Sequence, residues 1–325
     1  MLNATAHLVP LNRVLKKPIR DGYGDGLVAV GADERVVVLT ADLSESTRCD
    51  AFAKAFPERF IQVGVAEQNM ATIAAGLGIS GKIPFISSYA VFSPGRNWEQ
   101  IRTTVAYNDS NVKIAGHHAG ISTGPDGATH QALEDIALMR ALPGMKVIAP
   151  CDAVEAKKAV IAAAHLWGPV YLRFVRPATP VITTTHTPFA PGKAELFWTS
   201  RKPQAALFAS GRLVYDALVA AHELERKGVD TVVYNVHTIK PLDERTILRA
   251  ALRAGAAVTI EEHSIIGGLG SAVAELLSGT SPLPLERVGS RDTFGESGEP
   301  EELLHKYGMD TAAIVQAVRR VIKRK

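Results

Sequence analysis

The stretch FIQVGVAEQNMATIAAGLGISGKIPFIS, residues 60–87, decides the fold class of this protein. It opens with a short β-rich run, Phe60–Val63, continues through a helical pattern over Glu67–Ile79, and returns to a β-rich run, Ile83–Ser87. Short strands that alternate with longer helices are typical of βαβ units, in which the two strands lie parallel in one sheet. The stretch therefore predicts an α/β protein.

The same alternation continues on both sides of this unit. Further strands are predicted at Val36–Leu39, Val112–Gly116, Lys146–Ala149 and Val170–Val175. Further helices are predicted at Asp21–Gly31, Asn97–Tyr107, Ala132–Ala141 and Ala153–His165. This order predicts a mainly parallel, doubly wound sheet that carries helices on both faces.

The segment RPATPVITTTHTPFAPGK, residues 176–193, breaks the alternation. It is rich in proline and threonine and has no helical period, which is typical of a crossing between domains. Beyond it, strands are predicted at Ala205–Ala209, Thr231–Val236 and Ala257–Glu261, and helices at Leu213–Lys227, Asp243–Ala254, Leu269–Leu277 and Thr311–Lys323. We therefore expect two doubly wound α/β domains, residues 1–187 and 188–325.

The composition is that of an ordinary globular enzyme. The 325 residues are 46% hydrophobic and 21% charged with a net charge of +3, which gives no electrostatic argument for a nucleic-acid or membrane partner. The two cysteines, Cys49 and Cys151, lack metal-type spacing and suit a reducing compartment. Because no apolar run approaches the length of a membrane span and no secretory signal pattern is evident, we expect a cytoplasmic protein.

Glu67 is out of place on an otherwise apolar helix face. Met70 and Ala74 follow it at helical spacing and should point into a core, so the Glu67 carboxylate shares that inward face. An acid in the first helical turn also complements the helix dipole, which is an ordinary structural role. The residue alone favours the ordinary structural role.

The segment HHAGISTGPDGATHQ, residues 117–131, gathers the side chains best suited to chemistry. It places three histidines and an aspartate in a glycine-rich loop after a predicted strand, where α/β proteins position their sites. Because histidine titrates near neutrality, acid–base work or hydrogen bonding to a polar substrate suits this set. A zinc site is disfavoured, since no ligand pair has helical spacing and no cysteine is near.

Two glycine-rich motifs carry weaker signals. GYGDG, residues 22–26, is not preceded by a predicted strand, so a helix start is favoured over a phosphate-binding loop. GGLG, residues 267–270, follows a predicted strand and precedes a predicted helix, but it falls short of a dinucleotide-binding fingerprint. Neither motif by itself assigns a function.

Three longer motifs occur in the order found in one enzyme family: ADLSEST (residues 41–47), VGVAEQNM (63–70) and GPDGATHQALEDIALMRALPGMKVIAPCDAVEA (124–156). Together they resemble the C-terminal half of a transketolase, specifically the separate C-terminal subunit of a split transketolase. The resemblance implies a pyrimidine-binding domain followed by a transketolase C-terminal domain. It covers the chain from about residue 20 to its end.

The resemblance also implies an activity, a cofactor and a partner. A transketolase moves a two-carbon ketol unit from a ketose phosphate to an aldose with thiamine diphosphate as cofactor. The family binds the diphosphate through Mg²⁺ or another divalent metal with a GDG…N motif. The GDG letters of residues 24–26 are not followed by an asparagine at the family's spacing, since residues 50–57 contain none, so this motif is expected on an N-terminal partner subunit. The chain should therefore be inactive alone and work in an α2β2 assembly.

The resemblance assigns the cofactor-binding residues. Glu67 matches the glutamate that hydrogen-bonds the aminopyrimidine ring of the cofactor, which explains an acid on an inward face. Tyr89 and Phe92 match the aromatic residues that stack on that ring, and Asp42 matches an aspartate close to the cofactor. The next aromatic position of the family falls near Gly95, which is a departure from the pattern.

The resemblance also assigns the sugar-binding residues. His118 and Asp126 match residues that bind the hydroxyls of the donor sugar, and His130 matches the histidine that takes part in proton transfers. His118 and not His117 falls in the family position. Pro125 replaces the acid that many relatives have before the DG pair, so the sugar-binding geometry is expected to differ here.

The terminal phosphate of the acceptor is assigned to Arg20, Ser46 and Arg176 by the same resemblance. Arginine suits phosphate because its planar guanidinium can donate two parallel hydrogen bonds. Arg173 is a nearby competitor for this role. On sequence alone, a surface ion pair is the default interpretation of each arginine.

Three kinds of alternative remain at this stage: another enzyme with the same cofactor, a transketolase with another substrate, and a non-catalytic protein. A deoxyxylulose phosphate synthase-like enzyme and the β subunit of a 2-oxo acid dehydrogenase use the same cofactor, but the first carries its own GDG motif and the second lacks the GPDGATHQ loop. A transketolase for a modified or branched sugar phosphate is a close variant. A non-catalytic scaffold is the third, although a scaffold has no need for a buried acid beside a histidine loop.

Overall fold

A computed structural model describes residues 1–325 as α/β layers built around two main sheets. Fourteen strands are present: β1 (Lys16–Pro18), β2 (Val36–Thr40), β3 (Phe60–Gln62), β4 (Ile83–Tyr89), β5 (Lys113–His117), β6 (Lys146–Ile148), β7 (Val170–Arg173), β8 (Ala178–Pro180), β9 (Glu195–Trp198), β10 (Ala205–Ala209), β11 (Thr231–Asn235), β12 (Thr238–Lys240), β13 (Ala257–Ser264) and β14 (Leu285–Ser290).

Eleven α-helices connect these strands: α1 (Ile19–Val30), α2 (Asp50–Ala55), α3 (Glu67–Ile79), α4 (Trp98–Gln100), α5 (Asp135–Arg140), α6 (Ala153–His165), α7 (Leu213–Glu225), α8 (Glu244–Ala254), α9 (Leu269–Thr280), α10 (Pro300–Lys306) and α11 (Thr311–Ile322). Helix α4 continues as a π-helix over Ile101–Ala106, and 3₁₀-helices cover Ala4–Ala6, Pro57–Arg59 and Ile121–Asp126. None of the helices combines the length and the apolar character that a membrane span requires.

The first main sheet has seven strands in the order β12-β6-β7-β5-β4-β2-β3. Six of them run parallel, and β12 pairs antiparallel with β6 at one edge. Helices α1 and α6 pack on one face of this sheet and α3 packs on the other, each over its own apolar core. The predicted α/β class with mainly parallel, doubly wound sheets is confirmed.

The second main sheet has five strands in the order β14-β13-β10-β11-β9. Its pairs are parallel except for β9, which runs antiparallel to β11 at one edge. Helices α7 and α11 cover one face, and α8 and α9 cover the other. A two-stranded antiparallel ribbon, β1 with β8, ties the start of the chain to the proline-rich segment.

The glycines of GYGDG have a packing role in helix α1. A Cβ atom on Gly22 would lie 1.9 Å from the carbonyl oxygen of Ala153, and one on Gly26 would lie 2.7 Å from Cβ of Val160. Both neighbours belong to α6, so the missing side chains let the two helices approach closely. The short strand β1 precedes the motif, but it belongs to the ribbon and the glycines form no loop.

The sequence prediction missed several elements. The short strands β8 and β12 and the edge strands β9 and β14 were not predicted, and the helix expected over Asn97–Tyr107 is a single α-turn followed by a π-helix. Strand β12 follows β11 along the chain but leaves its sheet, with Thr238 pairing to Ile148 of β6. Contacts far apart in sequence define these elements, and a local pattern carries no such information.

Candidate active site

Most of the sequence-predicted site residues lie at one edge of the first sheet, where its parallel strands end. Loops and helix starts that follow β2, β3, β4, β5 and β7 carry Asp42, Ser46, Glu67, Phe92, His118, Asp126, His130 and Arg176. Tyr89 is the last residue of β4, and Arg20 lies in the first turn of α1. This edge is where open α/β sheets bind ligands.

Glu67 is the first residue of α3 and is buried, with 1% of its surface exposed. Its Oε1 accepts a hydrogen bond from Ser88 Oγ at 3.0 Å, and its Oε2 accepts one from Arg96 Nη1 at 2.9 Å. The amide of Asn97 donates to the backbone carbonyl of Glu67 at 3.0 Å. Both interpretations of this acid are therefore correct: it stands in the first helical turn, and its carboxylate points inward.

Aromatic rings form a cluster around His130. The rings of Tyr89 and Phe92 lie 6.1 Å apart at an interplanar angle of 24°. The His130 ring makes T-shaped contacts with both rings, with centroid distances of 5.6 Å to Phe92 and 6.1 Å to Tyr89. The ring of His118 stacks on Tyr89 at 4.2 Å and 21°. The structure thus brings together four of the rings that the sequence singled out.

His118 is a neutral hydrogen-bond donor in this site. Arg20 Nη1 lies 2.8 Å from His118 Nε2, and because arginine can only donate, Nε2 must be the unprotonated acceptor. Burial, and then the charge of Arg20, lower the pKa of His118 to about 3. The proton of the neutral ring is therefore on Nδ1, which is buried and has no partner within the chain.

Arg20 and Arg176 both place positive charge near this histidine. Arg20 also donates to the backbone carbonyl of Ser46 at 2.9 Å, and its pKa is lowered by burial and by the nearby charge of Arg48. Arg176 donates to the Asp126 carboxylate at 3.1 Å and to the carbonyl of Thr123. Two of the predicted phosphate ligands are thus held within reach of the histidine loop.

Two residues of the histidine loop are held by contacts that the sequence analysis did not find. The backbone N–H of Ser122 donates to Glu262 at 2.7 Å, and the amide of Gln131 donates to the carbonyls of Gly124 and Glu296. Glu262 and Glu296 belong to the second half of the chain. These contacts join residues that are 140 and 165 positions apart, so no local pattern in the sequence signals them.

Two residues of the sequence analysis, Arg173 and His117, are taken up by contacts in the core, and a third, Asp42, is exposed. Arg173 is buried and donates to the carboxylate of Asp135 at 2.8 Å, so it is unavailable as a phosphate ligand. His117 is fully buried between Tyr23 and Phe174, and burial holds its pKa well below the usual value. Asp42 is exposed at the end of β2, and its side chain makes no hydrogen bond.

The glycine-rich GGLG motif has a structural explanation. The carboxylate of Glu261 accepts hydrogen bonds from the backbone N–H groups of Leu269 and Gly270, both at 2.7 Å. The N-terminus of α9 is therefore capped from within the chain, and it offers no open anion site. No group of three or more histidine, cysteine, aspartate or glutamate side chains is placed to hold a metal ion.

A doubly wound α/β fold with a buried acid, stacked aromatic rings and a histidine loop at one sheet edge defines an enzyme of the open α/β-sheet class. The particular family follows from sequence matches. Residues 16–181 match the family described as "Transketolase, pyrimidine binding domain", and residues 192–314 match "Transketolase, C-terminal domain". The chain belongs to the transketolase family.

Individual relatives agree with this assignment. A putative transketolase C-terminal section from Methanocaldococcus jannaschii is 45% identical over 95% of this chain and 97% of its own length. A 6-deoxy-6-sulfo-D-fructose transketolase subunit from Clostridium sp. strain MSTE9 is 42% identical over 94% of this chain and 95% of its own length. A solved structure titled "Split gene transketolase, inactive beta4 tetramer" superposes with a TM-score of 0.87 at 45% identity, covering 94% of this chain and 98% of that one.

These matches confirm the predicted relationship to the C-terminal subunit of a split transketolase. They also favour transketolase over the deoxyxylulose phosphate synthase-like and 2-oxo acid dehydrogenase alternatives. The transketolase family is thiamine diphosphate-dependent and transfers ketol units.

Proposed function

We propose that this chain forms the C-terminal subunit of a transketolase that moves a two-carbon ketol unit from a ketose phosphate to an aldose. The observation that carries the proposal is the buried carboxylate of Glu67 beside the rings of Tyr89 and Phe92. A buried carboxylate is costly unless it is paired, and one next to flat apolar surfaces suits a planar ligand with a ring nitrogen.

The residues present fit the aminopyrimidine ring of thiamine diphosphate. The Glu67 carboxylate offers an acceptor for a ring N–H, and Tyr89 and Phe92 offer nearly parallel faces for stacking. One of the two groups now bonded to Glu67, the guanidinium of Arg96, is half exposed and can leave. When bound, thiamine diphosphate supplies the carbon nucleophile that carries the two-carbon unit.

In this proposal Glu67 holds or releases a proton at the ring nitrogen, and the aromatic pair fixes the ring in place. The family resemblance assigns Asp42, just beyond the end of β2, to a position close to the cofactor. Burial around Glu67 excludes water from its carboxylate, which strengthens the hydrogen bond that it forms with the ring.

The histidine loop acts on the sugar. The Nδ1–H group of His118 donates a hydrogen bond to an oxygen of the substrate, and the ring stays neutral. We therefore assign His118 to substrate binding and not to proton transfer. His130, half-buried against Phe92, moves protons at the substrate oxygen. Asp126 accepts a hydrogen bond from a sugar hydroxyl on the side away from Arg176.

Arg20, Ser46 and Arg176 bind the terminal phosphate of the sugar. Arg20 contacts His118 Nε2 and the Ser46 carbonyl through Nη1, and Arg176 contacts the Thr123 carbonyl and Asp126 through Nη1. The Nη2 group of each guanidinium makes no hydrogen bond within the chain, so both arginines can bind a phosphate while they keep these contacts.

The proposal includes an N-terminal partner subunit. That subunit supplies the diphosphate-binding domain and the Mg²⁺ or other divalent metal, and the active assembly is α2β2. The similar structure titled as an inactive β4 tetramer supports the expectation that the chain alone associates with itself without activity.

The experiment mixes the chain with the N-terminal subunit, thiamine diphosphate, Mg²⁺ and a ketose phosphate, and measures ketol transfer to an aldose. Each subunit alone should be inactive. Glu67→Gln keeps the shape of the side chain but removes its exchangeable charge, and we expect activity to fall by about 10²- to 10⁴-fold. The exposed Glu34→Gln is the matched control. Full activity of Glu67→Gln would contradict the assigned role, and inactivity of the complete mixture would favour a scaffold.

A modified sugar phosphate is a second candidate for the substrate. The Clostridium relative is named for a sulfo sugar, and Pro125 lies in the 3₁₀-helix that holds Asp126. An Asp126 carboxylate tied to Arg176 presents a different sugar-binding surface from a free one. Activity profiles of the assembled complex with ordinary and modified ketose phosphates would separate the two candidates.

The division into domains at residues 187 and 188 stays a prediction. It is supported by the two family matches, which end at residue 181 and begin at residue 192. The cytoplasmic location also stays a prediction.

A further inference from the structure

Arg96 makes two contacts that the proposed function does not explain. Its Nη1 donates to Glu67 Oε2 at 2.9 Å, and its guanidinium carbon lies 4.5 Å from the centre of the Phe92 ring. These are a carboxylate oxygen and an aromatic face that the proposed function gives to the cofactor ring. A guanidinium resembles such a ring in being planar and in carrying N–H donors at its edge.

The two partners of the Glu67 carboxylate differ in their freedom to move. Ser88 is fully buried in strand β4, so its hydroxyl is fixed. The Arg96 side chain lies in the loop after β4 and is 47% exposed. Arg96 can therefore leave the carboxylate and enter solvent without a change in the core, whereas Ser88 cannot.

The backbone beside Arg96 explains why its guanidinium reaches the Phe92 ring and the Glu67 carboxylate. A Cβ atom on Gly95 would lie 2.1 Å from the carbonyl oxygen of Val91, so position 95 has no room for a side chain. The face of Phe92 is consequently not covered by the residue before Arg96. The next side chain along the loop covers it instead and reaches Glu67 at the same time.

We propose that Arg96 is a stand-in for the cofactor ring and that it must swing out when the ring binds. The inference rests on the proposed function, because it takes Glu67 and Phe92 as the groups that hold the ring. In the chain without cofactor, Arg96 satisfies a buried carboxylate that would otherwise be costly. The same contact opposes binding of the cofactor, so Arg96 is a positioning residue that sets cofactor affinity.

The test uses Arg96→Met, which keeps the length of the side chain but removes its charge and donors. Titration calorimetry of thiamine diphosphate and Mg²⁺ into the complex with the N-terminal subunit gives the affinity. We expect the variant to bind the cofactor about tenfold more tightly, since loss of a competing ion pair and a cation–π contact favours the bound state. The chain alone should lose about 1–3 °C in its midpoint of thermal unfolding. Unchanged or weaker binding would overturn the proposal.

Two further variants make the result specific. Arg102→Met removes another exposed arginine of the same region, one with no side-chain hydrogen bond, and should leave both affinity and stability unchanged. In a Glu67→Gln background, Arg96→Met should tighten cofactor binding by clearly less than in the unmodified chain, because the ion pair is already absent and only the contact with Phe92 remains to be removed. If Glu67→Gln itself leaves affinity unchanged, the proposed function fails at that residue. If Glu67→Gln weakens binding but Arg96→Met has no effect, only the stand-in role fails.

Discussion

The buried carboxyl of Glu155 should make folding stability depend on pH. Glu155 lies in the first turn of α6 and accepts hydrogen bonds at 2.7 Å from the N–H of Cys151 and from the amide of Asn235, at the end of β11. Burial, and then the charge of Asp152, raise the pKa of Glu155 from 4.5 to about 7. An acid with a raised pKa in the folded state stabilises the fold fully below pH 4.5 and loses that contribution as pH rises through 7.

The expected magnitude follows from the gap between the two pKa values. With about 4.5 unfolded and about 7 folded, the contribution falls by about 2.5 kcal/mol between pH 5 and pH 8. Because Asp152 lies three positions from Glu155 and its charge also repels Glu155 in the unfolded chain, part of the shift cancels between the two states. We therefore expect the change attributable to Glu155 to lie between about 1 and 2.5 kcal/mol.

The assay compares urea unfolding of the protein and of Glu155→Gln at pH 5 and pH 8, at one protein concentration. The substitution leaves one of the two donors, Cys151 N–H or Asn235 amide, without its acceptor, but that cost is the same at both pH values and cancels in the double difference. The unfolding free energy of the variant minus that of the unmodified protein should therefore rise by at least about 1 kcal/mol from pH 5 to pH 8. Glu34→Gln, an exposed control, should show no such gain. Parallel pH profiles for the protein and Glu155→Gln would refute the reasoning.

Two further predictions concern buried charges near the site. Asp135→Asn should destabilise the fold by about 3–5 kcal/mol in urea unfolding, because it leaves the Arg173 guanidinium buried without its counter-charge; a loss below about 1 kcal/mol would contradict a buried ion pair. The ring of His118 should remain neutral from pH 8 down to pH 5 in nitrogen-detected NMR of labelled histidine, because its pKa is lowered to about 3. The stability that the neutral ring contributes to the fold should be lost as pH falls from 6.5 toward 3. A ring that titrates near 6.5 would contradict the hydrogen bond from Arg20.

The sequence predicted those parts of the fold that depend on local pattern. The βαβ unit of residues 60–87 appears as β3, α3 and β4 with helix bounds that match the prediction, because the apolar spacing and the flanking glycines are local signals. Strand β12 could not be predicted, since its identity comes from a partner about 90 residues earlier in the chain. The π-helix after α4 was also missed, because its apolar spacing resembles that of an α-helix.

The candidate site divides in the same way. Glu67 and the histidine loop stood out because their residue types conflict with an apolar helix or a simple turn. Arg96 gave no such signal, since an arginine in a loop is ordinary and its partner Glu67 lies 29 positions earlier. Arg173 was the reverse case: it resembled a phosphate ligand in sequence, but its pairing with Asp135 depends on packing that no local pattern contains.

The contacts of the histidine loop show what the second half of the chain contributes to the site. Gly120 and Ser122 in this loop lie against the Glu262 carboxylate, and a Cβ on Gly120 would lie 2.3 Å from Glu262 Oε1. Gln131 is tied in turn to the carbonyl of Glu296. The loop that carries His118, Asp126 and His130 is therefore shaped from both sides, by its own sheet and by the second one. A fixed loop is what a neutral histidine donor requires, because its hydrogen bond can select one sugar geometry only if the backbone beneath it does not move.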